Sequence, residues 1–453
     1  MSEQTGRGRD ATIDGVSIAS ASTDVRDPVP ADRPASVLDE LQWRGLVAMS
    51  TDPNALAQAL AAGPVTAYCG FDPTAPSLHF GNLVQLVVLR TLQRAGHRVI
   101  CLVGGSTGLI GDPKPTSERV LKTKEQTAEW VALIQRQVRP FLDFEGDNPA
   151  LLVNNLDWTA PMSALDFLRD IGKHFRVNTM VRKEAVAARL NSADGISYTE
   201  FSYQILQGLD YLQLFREYGC TLQTGGQDQW GNLTAGVDLV HKAEGKAVHL
   251  LATPLVTDSH GQKFGKSEGN AVWLSAEMTS PYAFYQYWFN IEDSMVVPLL
   301  KVFTDRTAEQ IAELERAVTQ RPQAREAQRA LALDVTSLVH GGVAADAAIA
   351  ASGALFGRGD LAEVDESTLR AALSEAGLHR VTEPSTVVSL LVTTGLAGSV
   401  SEARRTVGEG GANINNVRIS DPDHIPAHDD LLHGQLLVIR RGKKAIAGVE
   451  LAG

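Results

Sequence analysis

The chain has 453 residues, 44% of them apolar and 21% charged, a composition that excludes a wholly disordered, collagen-like or disulfide-scaffold protein and implies two or three domains. Its 41 basic and 53 acidic residues give a net charge of −12, so no overall basic field draws it to nucleic acid. No run approaches the ~18 apolar residues of a membrane span. Three scattered cysteines, Cys69, Cys101 and Cys220, supply neither a disulfide framework nor a zinc site and suit a reducing cytosol.

Residues 1–36 lack apolar periodicity and read as a disordered extension. They carry no apolar stretch of a secretory signal, and Glu3, Asp10, Asp14, Asp24, Asp27 and Asp32 argue against an organellar transit peptide. From 37 to 262 the pattern is that of an alternating α/β domain. An apolar run at 65–68 leads into Gly70-Phe71-Asp72-Pro73; a helix is expected over 81–95 from the spacing of Leu83, Leu86, Val87, Leu89 and Leu92, with a stop at Gly96. A second buried strand, 99–103, ends in Gly104-Gly105. Strands alternating with helices imply a parallel sheet, whose ligands bind beyond the carboxyl ends of its strands.

Residues 263–280 form a polar loop and connector, 281–356 an α-helical domain, and 357–384 a linker with short helices. The last unit, 385–453, is small and α+β: apolar at 387–396, helical at 402–407 and strand-like at 435–439. From Ser385 onward seven basic residues balance seven acidic ones, so this tail is neutral and its basic groups are clustered.

Two stretches carry chemistry. His79 and Asn82 flank a helix start with Gly81 between them, and a helix N-terminus offers unpaired N–H groups and partial positive charge to a phosphate. Gly81 is expected to let a nucleotide approach the backbone. Further on, Lys263-Phe264-Gly265-Lys266-Ser267 follows a strand-like run; two lysines and a serine on such a loop can fold over a polyphosphate. Taken alone, the first pattern also fits a capped helix with an incidental histidine, and the second a solvated turn.

Together, His79-Phe80-Gly81-Asn82 and Lys263-Phe264-Gly265-Lys266-Ser267 resemble the two signature motifs of class I aminoacyl-tRNA synthetases. Intervening blocks narrow the resemblance to the bacterial tyrosyl type: Tyr68-Cys69-Gly70-Phe71-Asp72-Pro73-Thr74, Gly108-Leu109-Ile110-Gly111-Asp112-Pro113, the run from Tyr203 to Tyr211, and the run from Gly225 to Asn232. The C-terminal unit resembles an S4-type RNA-binding domain through Ser401-Glu402-Ala403-Arg404-Arg405 and Gly410-Gly411-Ala412-Asn413-Ile414-Asn415. The resemblance implies an α/β chain: a Rossmann-like parallel-sheet catalytic domain, then an α-helical domain and a small α+β S4-like domain. It also implies a cytoplasmic homodimer that uses L-tyrosine, ATP and tRNA(Tyr), with no membrane partner.

By the same resemblance, tyrosine is activated by ATP and then transferred to the 3′ end of tRNA, without a protein nucleophile. Tyr68 and Asp210 would meet the phenol hydroxyl; Asp112, Tyr203 and Gln207 the ammonium; Gln229 the carboxylate. Cys69, Gly226 and Asp228 would lie near the ribose, with Gly70, Asp72 and Gly81 lining the nucleotide pocket. Thr74, His79 and Asn82 would face the phosphates, with Arg119 on a loop beside the pyrophosphate and Lys263, Lys266 and Ser267 closing over them. Mg2+ is expected as the counter-ion of ATP and not as a protein-held metal. Arg404, Arg405, Arg418, Arg440, Arg441, Lys443 and Lys444 would meet RNA phosphates.

Two departures stand out. Asn82 occupies a position where the first signature more often has His, and its amide can donate to the same oxygen. After Asp112 the loop is one residue shorter than in many bacterial members. Arg119 keeps its place, whereas the loop lysine has no clear counterpart; Lys114 is either its substitute or, the favoured reading, a solvated loop lysine. The nearest rival, a tryptophanyl-tRNA synthetase, is disfavoured by Tyr68, Asp210 and the S4-like tail. A catalytically silent RNA-binding paralogue has no need of the phosphate and amino-acid sets, and a small-molecule nucleotidyltransferase does not explain the lysine loop joined to such a tail.

Overall fold

A computed structural model describes residues 36–114, 117–193, 195–257, 271–383 and 385–452. The extension before Ser36 and the loop bearing Lys263, Lys266 and Ser267 lie outside the described residues.

The first sheet contains β1 (Met49–Ser50), β2 (Thr66–Phe71), β3 (Arg98–Val103), β4 (Leu151–Asn154), β5 (Cys220–Gly226) and β6 (His249–Thr253), in the order β1-β6-β5-β2-β3-β4. All its pairings are parallel except that of β1 with β6. The chain builds outward from β2 through β3 to β4, then returns to add β5 and β6 on the other side. The order therefore reverses between β2 and β5, where the strand ends splay into a crevice.

Side chains are buried on both faces of β2 and β3, as expected of parallel strands covered by helices on either side. One face packs on the Phe80–Arg94 and Lys124–Val138 helices through Leu83, Leu86, Leu89 and Ile134. The other packs on the Tyr198–Tyr218 and Trp230–Glu244 helices through Leu209, Leu212, Leu233 and Leu239. The helix expected over 81–95 spans Phe80–Arg94, one residue earlier at each end.

The helical segment runs through Pro281–Phe289, Asp293–Phe303, Ala308–Gln320, Glu326–His340 and Gly342–Leu355. Its Phe284, Trp288 and Leu331 belong to the same apolar cluster as Leu83 and Leu86, so it shares a core with the sheet layer and is no loosely tethered unit.

The stretch read as a linker, 357–384, is structured. Its Glu366–Ala376 helix buries Leu369 and Leu373 in that cluster, and β7 (Leu378–Val381) pairs in parallel with the last strand of the chain. The second sheet, β7, β8 (Ala412–Ile414), β9 (Val417–Ile419), β10 (Leu436–Arg441) and β11 (Ala445–Leu451), has the order β7-β11-β10-β8-β9, so it begins before Ser385. The apolar run expected from 387 is a helix, Val387–Thr393, and a second helix spans Val400–Gly408. Buried Glu450 joins this unit to the helices before it, accepting hydrogen bonds from Arg370 and, at 2.8 Å, from Arg380. Asn416 Nδ2 donates to the Ala354 carbonyl at 2.7 Å.

Candidate active site

Every sequence-predicted tyrosine and ATP residue within the described segments borders one cavity of about 320 Å³ at the carboxyl ends of β2 and β5. At one end lies the Phe80–Arg94 helix with His79 as its N-cap. The Gly81 N–H donates to His79 Nδ1 at 3.0 Å, which fixes the imidazole as the Nε2–H tautomer and leaves Nε2 a donor. The His79 N–H donates to Asn82 Oδ1 at 3.1 Å. Asn82 thus spends its oxygen on the cap and keeps its amide N–H₂ as a donor, which accounts physically for an amide at this position. A Cβ on Gly81 would lie 2.7 Å from His79 Cε1 and 2.9 Å from Nδ1. The glycine is therefore required by the capping imidazole, a nearer constraint than the approach of a nucleotide expected from the sequence.

The deep end is built by β2, β4 and the Tyr198–Tyr218 helix. Tyr203, Gln207 and Asp210 recur every three or four residues and so share one side of that helix. Asp210 is buried; Asn155 Nδ2 donates to its Oδ2 at 3.0 Å and Trp158 Nε1 to its Oδ1 at 3.0 Å. Burial pushes its carboxyl up to about 8, against the pull of those two donors. Tyr68 is 1% exposed and its hydroxyl has no hydrogen-bond partner among the described residues. Burial, then the nearby Asp210 charge, raises its pKa. A buried hydroxyl without a partner calls for one.

Two further carboxylates border the middle of the cavity. Asp72 accepts from Thr107 Oγ1 at 2.6 Å and from Tyr203 Oη at 2.7 Å; burial raises its pKa and those donors oppose the rise. Asp112 accepts from Lys183 Nζ at 3.2 Å, Asn232 Nδ2 at 3.1 Å and Gln229 Nε2 at 3.4 Å. Gly226 leaves room for Asp228, since a Cβ there would lie 2.6 Å from its Oδ1. Burial pushes the Cys69 thiol up to about 12, so it stays protonated and serves as a small packed group. Thr74 and Gly70 also border the cavity.

Of the lysine loop only the flanks are described; one lines this cavity and the other packs beside the His79 helix start at its edge. Pro254, Leu255 and Val256 line it. On the far side Trp273 forms a β-bridge with His79, and the Leu274 N–H donates to the Leu78 carbonyl at 2.8 Å. The first signature segment and the described flank of the second, nearly two hundred residues apart in sequence, thus meet beside one helix mouth.

In a comparison of sequences, the family described as class I tRNA synthetases (W and Y) matches residues 60–357, and the C-terminal domain of SYY-like tyrosine–tRNA ligases matches 370–447. The tyrosine–tRNA ligase of Streptomyces avermitilis is 60% identical over 92% of this chain and 99% of its own length. That of Leifsonia xyli is 63% identical over 91% and 94%. The chain belongs to the bacterial tyrosine–tRNA ligase family. A C-terminally truncated mitochondrial tyrosyl-tRNA synthetase from Aspergillus nidulans is 30% identical, with a TM-score of 0.63 over 70% of this chain and 92% of that one. A tryptophanyl-tRNA synthetase from Encephalitozoon cuniculi shares the fold alone, at 14% identity and a TM-score of 0.50 over 73% and 89%.

Sequence reasoning missed several groups that hold the site of this tyrosine–tRNA ligase relative together. Asn155 directly follows β4, so the rule that ligands gather at strand carboxyl ends points to it. Trp158, Thr107, Asn232 and Lys183 carry no such signal. In the C-terminal unit Arg404 pairs with Asp423 at 2.8 Å and Arg441 with Glu402 at 2.8 Å, while Arg418 donates to the Glu409 carbonyl at 3.4 Å. Arg440 is turned inward toward Gly357, with its Nε buried. Arg405, Lys443 and Lys444 are exposed and make no ion pair among the described residues, which leaves them the freest of the seven basic groups.

Proposed function

We propose that this chain activates L-tyrosine with ATP, forming tyrosyl-adenylate and pyrophosphate, and transfers the tyrosyl group to the 3′ end of tRNA(Tyr). The observation that carries this reading is a single cavity with two unlike ends. One is a pocket in which the buried Tyr68 hydroxyl lacks a hydrogen-bond partner among the described residues beside Asp210; the other is a helix N-terminus capped by His79 and Asn82.

In this reading the substrate phenol donates to Asp210 and accepts from Tyr68 Oη, satisfying a hydroxyl that otherwise remains buried and alone. Phenylalanine would leave the buried Tyr68 hydroxyl unpaired and give Asp210 no donor beyond Asn155 and Trp158, which is the physical basis of its rejection. Asp112, Tyr203 and Gln207 take the ammonium, and Gln229 orients the carboxylate. Asp228, with Cys69 and Gly226, meets the ribose, while Gly70 and Asp72 line the nucleotide pocket. The substrate carboxylate attacks the α-phosphate in line, so the chain's part is positioning and charge stabilisation. The Nε2–H of His79, the amide of Asn82 and the hydroxyl of Thr74 donate to phosphate oxygens. Arg119 faces the departing pyrophosphate, and Lys263, Lys266 and Ser267 close over it. Magnesium is read as the counter-ion that accompanies the nucleotide substrate.

The C-terminal unit contacts tRNA phosphates, with Arg405, Lys443 and Lys444 the residues most open to them. We also propose a cytoplasmic homodimer. Leu165, Leu168, Val177 and Leu190 are 78, 50, 64 and 49% exposed, apolar side chains of the kind that association buries. Among the described residues no helix is long and apolar enough to cross a membrane.

Amino-acid-dependent exchange of labelled pyrophosphate into ATP tests the reading. Tyrosine supports exchange and phenylalanine and tryptophan do not; exchange with tryptophan in place of tyrosine overturns it.

A further inference from the structure

Outside the substrate-facing residues lies a buried ion pair that the chemistry just described does not use. Arg189, from the Glu184–Leu190 helix, and Glu200, from the first turn of the Tyr198–Tyr218 helix, approach to 3.1 Å with side chains 3% and 1% exposed. Burying two charges costs so much solvation that a pair of this kind adds little net stability, and its backbone partners show what else it does. The Arg119 N–H donates to Glu200 Oε1 at 3.0 Å. Arg189 Nη1 donates to the Lys114 carbonyl at 3.5 Å, and its Nε to the Gly195 carbonyl at 3.0 Å. The pair therefore holds the backbone at Lys114 and at Arg119, on either side of residues 115–116. Arg119 closes the loop on itself, its Nε donating to the Asp112 carbonyl at 2.8 Å.

We infer that Glu200 and Arg189 are positioning residues that clamp the backbone at Lys114 and Arg119, holding Arg119 against the leaving pyrophosphate. The inference rests on the reading proposed above. Glu200 lies three, seven and ten residues before Tyr203, Gln207 and Asp210 on one helix. A single rigid rod thus presents the groups assigned to the amino acid and anchors the loop assigned to the triphosphate, so the two halves of the cavity are held in register.

Glu200→Gln tests this with little change of shape. The Arg119 N–H and Arg189 Nη1 both donate to Glu200 Oε1, at 3.0 and 3.4 Å, while Oε2 lies 3.1 Å from Arg189 Nη1 as an ion-pair contact; an amide removes the charge and sets an N–H₂ donor against the Arg189 guanidinium, itself all donors, which loosens the pair and what it holds. In E200Q the amides of residues 117–121 exchange with deuterium at least tenfold faster than in the parent, while those of 203–210 are unchanged. Pyrophosphate exchange at saturating tyrosine slows tenfold or more, and tyrosine affinity measured by equilibrium dialysis stays within twofold. In an Arg119→Ala background E200Q adds less than a further twofold, because residues acting through one group are not additive. The clamp is overturned if tyrosine affinity falls in step with exchange, if the E200Q and R119A losses multiply, or if E200Q alters neither exchange rate nor amide protection. Should E200Q not fold, Arg189→Lys, which keeps the charge and loses the planar fork, carries the same expectations. A parent protein with no tyrosine-dependent exchange refutes the proposed function instead, and the deuterium measurement still judges the clamp.

Discussion

Replacing Tyr68 with Phe removes one oxygen from a site where that oxygen does nothing in the unliganded protein. The hydroxyl is 1% exposed with its residue and has no partner among the described residues. A buried polar group left unpaired costs about 1–3 kcal/mol, and a regained hydrogen bond contributes about 0.5–1.5 kcal/mol. The ring itself stays packed, 5.2 Å from that of Tyr211, so Y68F opens no cavity. The two effects have opposite signs. Free Y68F is as stable as the parent or more so, its Tm unchanged or raised by roughly 2–4 °C for each ~1 kcal/mol gained. Its tyrosine affinity falls about two- to tenfold, and phenylalanine is discriminated against less. Thermal unfolding of the unliganded protein and the tyrosine dependence of pyrophosphate exchange read the two halves separately. A clear drop in Tm with tyrosine dependence unaltered refutes the reasoning, because the hydroxyl would then serve the fold and not the substrate.

Burial raises the Asp210 carboxyl from 3.8 to about 8, so the folded protein favours its protonated form. The stabilisation this group lends is full below pH ~4 and disappears as pH climbs toward about 8, a swing of several kcal/mol at ~1.4 kcal/mol per unit. In D210N the Tm advantage over the parent widens between pH 5 and 8.5, and parallel curves would count against this. Gly81→Ala forces the His79 ring aside and breaks the Nδ1 cap, costing the helix about 1 kcal/mol and slowing pyrophosphate exchange at least tenfold; an unchanged exchange rate would show that the imidazole does not face the phosphates. The double variant K443A/K444A raises the KM for tRNA several-fold and flattens its salt dependence while leaving pyrophosphate exchange intact, whereas loss of exchange would mean that these lysines support the fold.

What the sequence made legible was what local chemistry dictates. The Tyr203–Gln207–Asp210 spacing requires only a helix to bring three polar groups to one side, and the His79–Asn82 spacing only a helix start. The sheet followed from alternation of apolar strands and helices. What stayed hidden depends on contacts distant in sequence. β7 is four residues long and becomes a strand because β11, more than sixty residues later, lies beside it. The helical segment reads as a separate domain until Trp288 is found in the same core as Leu83. Asn155 and Trp158 become parts of the site only through Asp210, and Glu200 only through Arg119. Arg440 looks like its basic neighbours in sequence, yet strand alternation turns it toward Gly357.

A crystal structure with a non-hydrolysable tyrosyl-adenylate analogue tests the central claim most directly. The phenol oxygen is expected within hydrogen-bond distance of both Tyr68 Oη and Asp210, with the phosphate mimic at the His79 end of the same cavity and the ribose beside Asp228. An analogue bound elsewhere, or bound there in the reverse orientation, contradicts it.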